Sequence, residues 1–141
     1  MEPVWITGMG LITSIGNDQS AVVRNLLDLR HGIENPPELQ VDSSPVKVAG
    51  TVKDFCLESA DPEDWTYPDQ YSVPRATIRS FSPHVLYGWC ALRQAIEDAA
   101  LSEEDLQDPD AGLYSSSGGS MRSIHKHFMK MDQRGVMACN P

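Results

Sequence analysis

The sequence has few of the features that mark membrane-spanning, disulfide-bonded or nucleic-acid-binding proteins. It contains no run of about 18 apolar residues, so we expect no membrane-spanning segment. Its three cysteines, Cys56, Cys90 and Cys139, are widely spaced without a Cys-x-x-Cys pair, which is typical of a reduced cytoplasmic protein. Lysine and arginine number 11 against 20 acidic residues, and the net charge of −9 argues against general nucleic-acid binding.

The N-terminus also lacks the features of a secretory signal. The opening "MEPVWITG" has no basic stretch and becomes apolar at once, so we expect no signal peptide. With 141 residues and a hydrophobic content of 40%, the chain has the length and composition of one globular domain.

Apolar periodicity and the placement of glycine and proline predict alternating strands and helices. Strands are predicted at 4–7, 46–52 and 111–116, and helices at 17–29, 82–101 and 121–133. The acidic, proline-bearing stretch 54–74 is expected to be a surface excursion without a long regular element. The order β-α-β-α-β-α predicts an α/β layered fold with a mostly parallel sheet and helices packed on it.

A glycine-containing loop follows the first predicted strand, in "VWITGMGLITSIGND". Gly8 and Gly10 begin a Gly-x-Gly-x-x-Gly pattern, but Thr13 stands where a dinucleotide-binding loop has its third glycine. A Walker loop is excluded, because Gly-Lys-Ser/Thr occurs nowhere in the chain. We interpret the glycines as a tight strand-to-helix connection. A nucleotide-binding α/β domain remains an alternative that Thr13 disfavours.

Five blocks stand in order along the chain: "VWITGMGLITSIGND", "LRHGI", "VAGTVKDF", "YGWCALRQAIEDAALS" and "GLYSSSGGSMR". Together they resemble the β-ketoacyl-acyl-carrier-protein synthases of the thiolase-like superfamily. The resemblance implies that residues 1–141 are the N-terminal part, an incomplete half, of a thiolase-like layered domain. It also implies an activity, the condensation of an acyl thioester with malonyl-carrier protein in fatty-acid or polyketide synthesis.

Ketosynthases use a nucleophilic cysteine and two histidines, which the resemblance places beyond Pro141. The thiolate takes the acyl group, and donors stabilise the charge that develops on decarboxylation. We therefore expect no catalytic residue in this chain, no activity of the chain alone, and no cofactor. Cys139 matches a loop upstream of the reactive cysteine, and Cys56 and Cys90 are interpreted as packing residues.

The last predicted helix carries two histidines and a row of basic residues. His125 and His127 are two positions apart and lie on different sides of a helix, so we interpret them as solvent-facing and expect no metal. Four basic residues recur at every fourth position: Arg122, Lys126, Lys130 and Arg134. In an acidic chain, this row is either a solvated helix face or a docking patch for an anionic partner.

The resemblance supplies such a partner, since acyl carrier protein is acidic. Arg79 and Arg134 match positions with which ketosynthases hold the carrier, so both are candidate docking residues; Met137 stands where the family can have a further basic residue. Gly118, in the Gly/Ser loop, is a candidate wall of the acyl pocket, or alternatively a turn glycine with φ above zero. Because the resemblance places this loop near a dimer interface, we expect the protein to form a homodimer or to bind a partner subunit.

A second function class stays open, in which the chain is a complete, non-catalytic relative that binds carrier protein or a partner subunit. An unfinished half-sheet would expose strand edges and apolar surface. This favours part of a condensing enzyme over a self-sufficient binding module. The same exposure predicts oligomerisation or poor solubility of the isolated chain.

Overall fold

The computed structural model describes residues 3–118 and 121–138, which divide into two units. The first unit comprises the chain up to Asp54 together with Cys90–Ala100. The second unit comprises Phe55–Trp89 together with the chain from Leu101 onwards.

Helices account for most of the regular structure. They are α1 (Gln19–Leu27), α2 (Arg75–Ile78), α3 (Pro83–Asp98), α4 (Glu103–Leu106) and α5 (Met121–Arg134). The other described elements are strands β1 (Ile33–Glu34) and β2 (Ala49–Gly50) and the 3-10 turns Pro37–Leu39, Pro62–Asp64 and Val136–Ala138. The three predicted helices are confirmed as α1, α3 and α5, whereas α2 and α4 are additional.

Side-chain caps explain where several helices begin. The Asp18 carboxylate accepts a hydrogen bond from the Ala21 N–H over 2.7 Å, which starts α1 at the predicted position. Helix α4 begins with a reciprocal capping box. The Ser102 hydroxyl accepts from the Asp105 N–H over 3.2 Å, and the Asp105 carboxylate accepts from the Ser102 N–H over 2.7 Å. This pattern stabilises a helix of only four residues.

The mostly parallel sheet is not confirmed in the part of the chain that the structure describes. The sheet found there has two strands, β1 and β2, which pair antiparallel with Ile33 opposite Gly50. The predicted strands 4–7 and 111–116 are not assigned as strands, and only Ala49–Gly50 of the predicted strand 46–52 is. A strand needs neighbours for its backbone hydrogen bonds, and the described residues do not supply them to these segments.

The opening glycines pack against α3 in the first unit. A Cβ atom on Gly8 would lie 2.4 Å from the carbonyl oxygen of Ala95, and one on Gly10 would lie 1.8 Å from that of Ala91. The two backbones therefore approach more closely than any side chain would allow. This contact supports the interpretation of the glycines as structural, since it gives them a role in packing.

Polar side chains of α3 hold the same segment through its backbone. The Gln94 Oε1 accepts from the Leu11 N–H over 3.1 Å, and the Asp98 carboxylate accepts from the Met9 N–H over 2.9 Å. Gln19 of α1 donates to the Asp98 carboxylate over 2.8 Å. These bonds, the one from Met9 first, lower the pKa of Asp98. The hydrogen bonds from Met9 and Leu11 satisfy backbone N–H groups that would otherwise pair with a neighbouring strand of a sheet.

The second unit has its own small core, to which the stretch 54–74 contributes. Its buried apolar side chains are Trp65, Tyr71, Val73, Ile78 and Leu86. The Trp65 indole donates to the Ser59 carbonyl over 3.0 Å, and Cys56 and Thr66 form an isolated antiparallel bridge. The stretch therefore packs inward at several points while its only helical element is the turn Pro62–Asp64.

We predict that Gly10→Ala destabilises the protein, because the added methyl group would collide with the Ala91 backbone. The expected loss in the free energy of unfolding is about 1–3 kcal/mol, measured by urea denaturation. Gly88→Ala is the matched control, since a Cβ atom there meets nothing within 4 Å in the middle of α3. The control should gain about 0.5–1 kcal/mol. Equal shifts in the two variants would contradict the packing argument.

Candidate functional site

Arg79, the first candidate docking residue, directly follows the short helix α2. Its neighbour Ile78 is 5% exposed and anchors this end of α2 in the core of the second unit. The Arg79 Nε donates to the Glu63 carboxylate. At the start of α2, the Arg75 Nε donates to the other oxygen of the same carboxylate over 2.5 Å. Glu63 therefore binds two guanidinium groups, and these three residues form what we call the arginine cluster.

The turn that carries Glu63 is itself fixed by side-chain hydrogen bonds. The Asp61 carboxylate caps the turn by accepting from the Glu63 N–H over 3.1 Å. The Asp64 carboxylate accepts from the Ser59 hydroxyl over 2.9 Å. Pro62 at the first position of the turn restricts its backbone further. These local contacts fix the conformation of the turn that carries Glu63.

The arginine cluster has a covered carboxylate and exposed cations. The Glu63 side chain is 16% exposed, against 79% for Arg75 and 57% for Arg79. Hydrogen bonds from Arg75 and then Arg79 lower the pKa of Glu63, and the contact with Glu63 raises the pKa of Arg75. The carboxylate is therefore ionised at neutral pH, and both arginines keep more than half of their side chains exposed.

Arg134, the second candidate docking residue, is the last residue of α5 and is exposed. Gly135 follows it with a φ of +80°, a left-handed conformation that favours glycine at a helix end. Along the same helix, the Lys126 Nζ donates to the Glu58 carbonyl oxygen. The basic row is therefore not solvated throughout, since Lys126 contacts the stretch 54–74. The side chain of Arg122 lies outside the described residues.

The remaining predicted positions are solvent-exposed. Gly118 is exposed, has no positive φ, and a Cβ atom placed on it would meet nothing within 4 Å. The turn-glycine alternative is therefore not what the structure shows, and the pocket-wall role stays a prediction. His125 and His127 are both exposed. Among the described residues, no three His, Cys, Asp or Glu side chains converge to hold a metal ion.

The first unit contains an open cleft of about 350 Å³ that the sequence does not reveal. Its lining includes the segment 13–18, Arg30, His31 and Lys53. Asn17 bridges the cleft through its side-chain amide, which donates to the Lys53 carbonyl over 2.8 Å. The Asn17 Oδ1 is buried without a hydrogen-bond partner. No predicted site residue lies in this cleft.

The sequence matches one family model, "Beta-ketoacyl synthase, N-terminal domain", over residues 1–140. The chain belongs to the β-ketoacyl synthase family. This confirms the resemblance that the five sequence blocks indicated. Among the described residues of this family member, no helix is long and apolar enough to cross a membrane.

Similar curated proteins carry the name 3-oxoacyl-[acyl-carrier-protein] synthase. Synthase 1 of Haemophilus influenzae is 31% identical over 100% of this chain and 32% of its own length. Synthase 1 of Escherichia coli K12 is 35% identical over 84% of this chain and 26% of its own. Synthase 2 of Staphylococcus aureus N315 is 28% identical over 94% of this chain and 30% of its own length. The chain thus spans about a third or less of the β-ketoacyl synthases that it matches.

The two described cysteines of this β-ketoacyl synthase chain lie in different environments. Cys90 on α3 is fully buried, and burial raises the pKa of its thiol to about 11. A thiol that stays protonated is a poor nucleophile, so Cys90 suits packing, as the sequence predicts. Cys56 is exposed. Cys139 lies outside the described residues.

We predict that alkylation distinguishes these two thiols. At pH 8 only about one Cys90 thiol in a thousand is ionised, given its raised pKa. Iodoacetamide should therefore modify Cys56 and leave Cys90 intact, as read by peptide mass mapping. The same reaction in 6 M guanidinium chloride is the control, and there both cysteines should react. Labelling of Cys90 in the folded protein would show that its site is open to solvent.

Proposed function

We propose that this chain is the N-terminal portion of a 3-oxoacyl-[acyl-carrier-protein] synthase, which condenses an acyl thioester with malonyl-carrier protein in fatty-acid or polyketide synthesis. The observation that carries the proposal is the family match over residues 1–140. The shared name of the similar proteins supports it. On this proposal the nucleophilic cysteine and the two histidines belong to the part of the synthase that this chain does not span, and the chain alone is inactive.

On the same proposal, residues 1–141 form an incomplete half of a thiolase-like domain, and the remainder of the synthase completes its mostly parallel sheet. The first predicted strand supports this proposal. Val4, Trp5 and Ile6 are between 79% and 95% exposed, which is unusual for three consecutive large apolar residues. A completed sheet would pair this segment with neighbouring strands, and helices packed on the sheet would cover these side chains. The stretch 54–74 is then a surface excursion of this half, packed on it through Trp65.

Acyl carrier protein is the proposed partner, with Arg79 and Arg134 as docking residues and Gly118 as a wall of the acyl pocket. Both arginines belong to the second unit, and both are exposed, which supports their use by one partner. An acidic carrier would meet positive charge there in an otherwise acidic chain. A homodimer, or a complex with a partner subunit, is the proposed assembly.

The function can be tested on the protein expressed from its natural reading frame. It is incubated with an acyl thioester and malonyl-carrier protein, and the 3-oxoacyl product and carbon dioxide are quantified by mass spectrometry. We expect turnover by the natural protein and none by the isolated 141-residue chain. Carrier binding by the natural protein without any condensation would contradict the proposal and favour the non-catalytic alternative.

We predict that Arg79→Ala and Arg134→Ala each weaken binding of acyl carrier protein about two- to tenfold, as measured by surface plasmon resonance. The affinity loss should shrink as salt is raised, because these are exposed charges. Arg30→Ala is the matched control. Arg30 is an exposed arginine of the first unit whose side chain lies 3.7 Å from that of Asp28. An equal loss in the control would contradict a specific docking role.

A further inference from the structure

Helix α5 exposes its apolar side to solvent. Ile124 is 49% exposed and Phe128 is 57% exposed, and the half-buried Met131 lies on the same side of the helix. Lys126 is on the opposite side, where its Nζ donates to the Glu58 carbonyl oxygen. A surface helix normally packs its apolar side on the protein and points its charged side outward. In α5 this arrangement is reversed. We call the side with Ile124, Phe128 and Met131 the apolar face of α5.

The described part of the chain does not supply a partner element for the apolar face. Among the residues that the structure describes, the element in extensive contact with α5 is the turn Val136–Ala138 that follows it. Val136 and Met137 of this turn are themselves 70% and 98% exposed, so this end of the helix adds further apolar surface. Exposed apolar surface of this kind is typical of a protein–protein interface.

We propose that the apolar face of α5 is a dimer interface, on which α5 of a second copy of this chain packs antiparallel about a two-fold axis. The inference rests on the proposed function and deepens it, because it assigns a surface to the proposed homodimer. Across a two-fold axis both copies contribute the same surface, which therefore has to be complementary to itself. Two residues beside the apolar face meet this requirement.

The spacing of the apolar face is that of paired helices. Ile124, Phe128 and Met131 occupy d, a and d positions of a heptad repeat, with which two helices bury a common strip. In an antiparallel pair, Phe128 of one copy packs beside Met131 of the other. His125 and Asp132 are both exposed, and both occupy e positions on one edge of the apolar face. Residues at e positions interact across a helix pair.

The antiparallel orientation brings opposite residue types together on this edge. His125 of one copy lies opposite Asp132 of the second copy, and the two-fold axis repeats the contact. An imidazole donates a hydrogen bond to a carboxylate, and in its protonated form it carries the opposite charge. On the other edge, His127 of one copy lies near Arg134 of the second, which are not opposite charges. The edge with His125 and Asp132 therefore sets the register.

The remainder of the synthase is the other candidate cover for the apolar face. A two-fold helix pair requires a histidine and an aspartate seven positions apart on one edge, and α5 has them. A different segment would not require this order. Within one chain the two residues do not meet, because seven residues of helix separate them by about 10 Å. The self-complementary edge therefore favours a second copy.

The test interchanges the two residues in the protein expressed from its natural reading frame. His125→Asp places carboxylates opposite each other, whereas the double variant His125→Asp, Asp132→His restores both contacts with their members reversed. Dimer dissociation is measured by native mass spectrometry, as the rate at which unlabelled and heavy-isotope-labelled copies exchange subunits. We expect exchange about five- to twentyfold faster in the single variant, and within about twofold of the unmodified protein in the double variant.

His84→Asp is the matched control, because it makes the same change at an exposed histidine of the same unit, at the start of α3. Its exchange rate should equal that of the unmodified protein. A rise in the control as large as that in His125→Asp would overturn the inference, and so would failure of the double variant to restore slow exchange. Rescue would be specific, since only a second α5 brings positions 125 and 132 together.

Phe128→Ala tests the apolar contact without a change of charge. The Phe128 side chain is 57% exposed in the single chain, so the variant should fold, with an unchanged far-UV circular dichroism spectrum. We expect subunit exchange about tenfold faster, because the side chain lies at the centre of the helix pair. Unchanged exchange would show that α5 lies outside the interface.

The failure of this inference can be told apart from the failure of the proposed function. A natural protein that stays monomeric would overturn the interface on α5. Condensation of an acyl thioester with malonyl-carrier protein by that monomer would still support the proposed synthase. A dimer that passes the interchange test but does not condense would support the interface and contradict the synthase.

Discussion

The close approach of Gly8 and Gly10 to α3 is the constraint on which the first unit depends. A methyl group at Gly10 would reach within 1.8 Å of the Ala91 carbonyl oxygen, so the contact exists only because both sides are small. Gln94 then completes it by accepting a hydrogen bond from the Leu11 backbone. The segment with Gly8 and Gly10 lies against α3, and the preceding residues Val4–Ile6 are exposed to solvent. These apolar residues form a surface that a completed sheet would cover.

The second unit shows how an irregular stretch can hold charged side chains in place. Trp65 and Ile78 lie in one small core, and this core brings the turn of Glu63 next to α2. Helix α2 has four residues and no side-chain cap, so its position depends on packing and on the ion pairs to Glu63. The arrangement of these charges is therefore set by the stretch 54–74, which the sequence predicts only as a surface excursion without a long regular element.

Helices α1, α3 and α5 could be predicted because their signals are local: the Asp18 cap, the Ser82–Pro83 start and the apolar periodicity that follows it. The sheet could not, since strand pairing depends on residues distant in sequence. The cluster around Glu63 joins positions 12 and 16 residues apart across a turn, and no periodicity indicates such a pairing. The family could be recognised from the sequence, because the recognition rests on five motifs and their order along the chain.

We propose above that this chain is the N-terminal portion of a condensing enzyme. The intact mass of the native protein tests this proposal most directly. The protein would be captured from its source cells with an antibody against the Asp54–Pro74 stretch and analysed by mass spectrometry. We predict a mass well above the 15.6 kDa of this chain, because the chain covers only 26% to 32% of the length of the relatives described above. A native mass of 15.6 kDa would contradict it and leave a protein that binds a carrier or a partner subunit without catalysis.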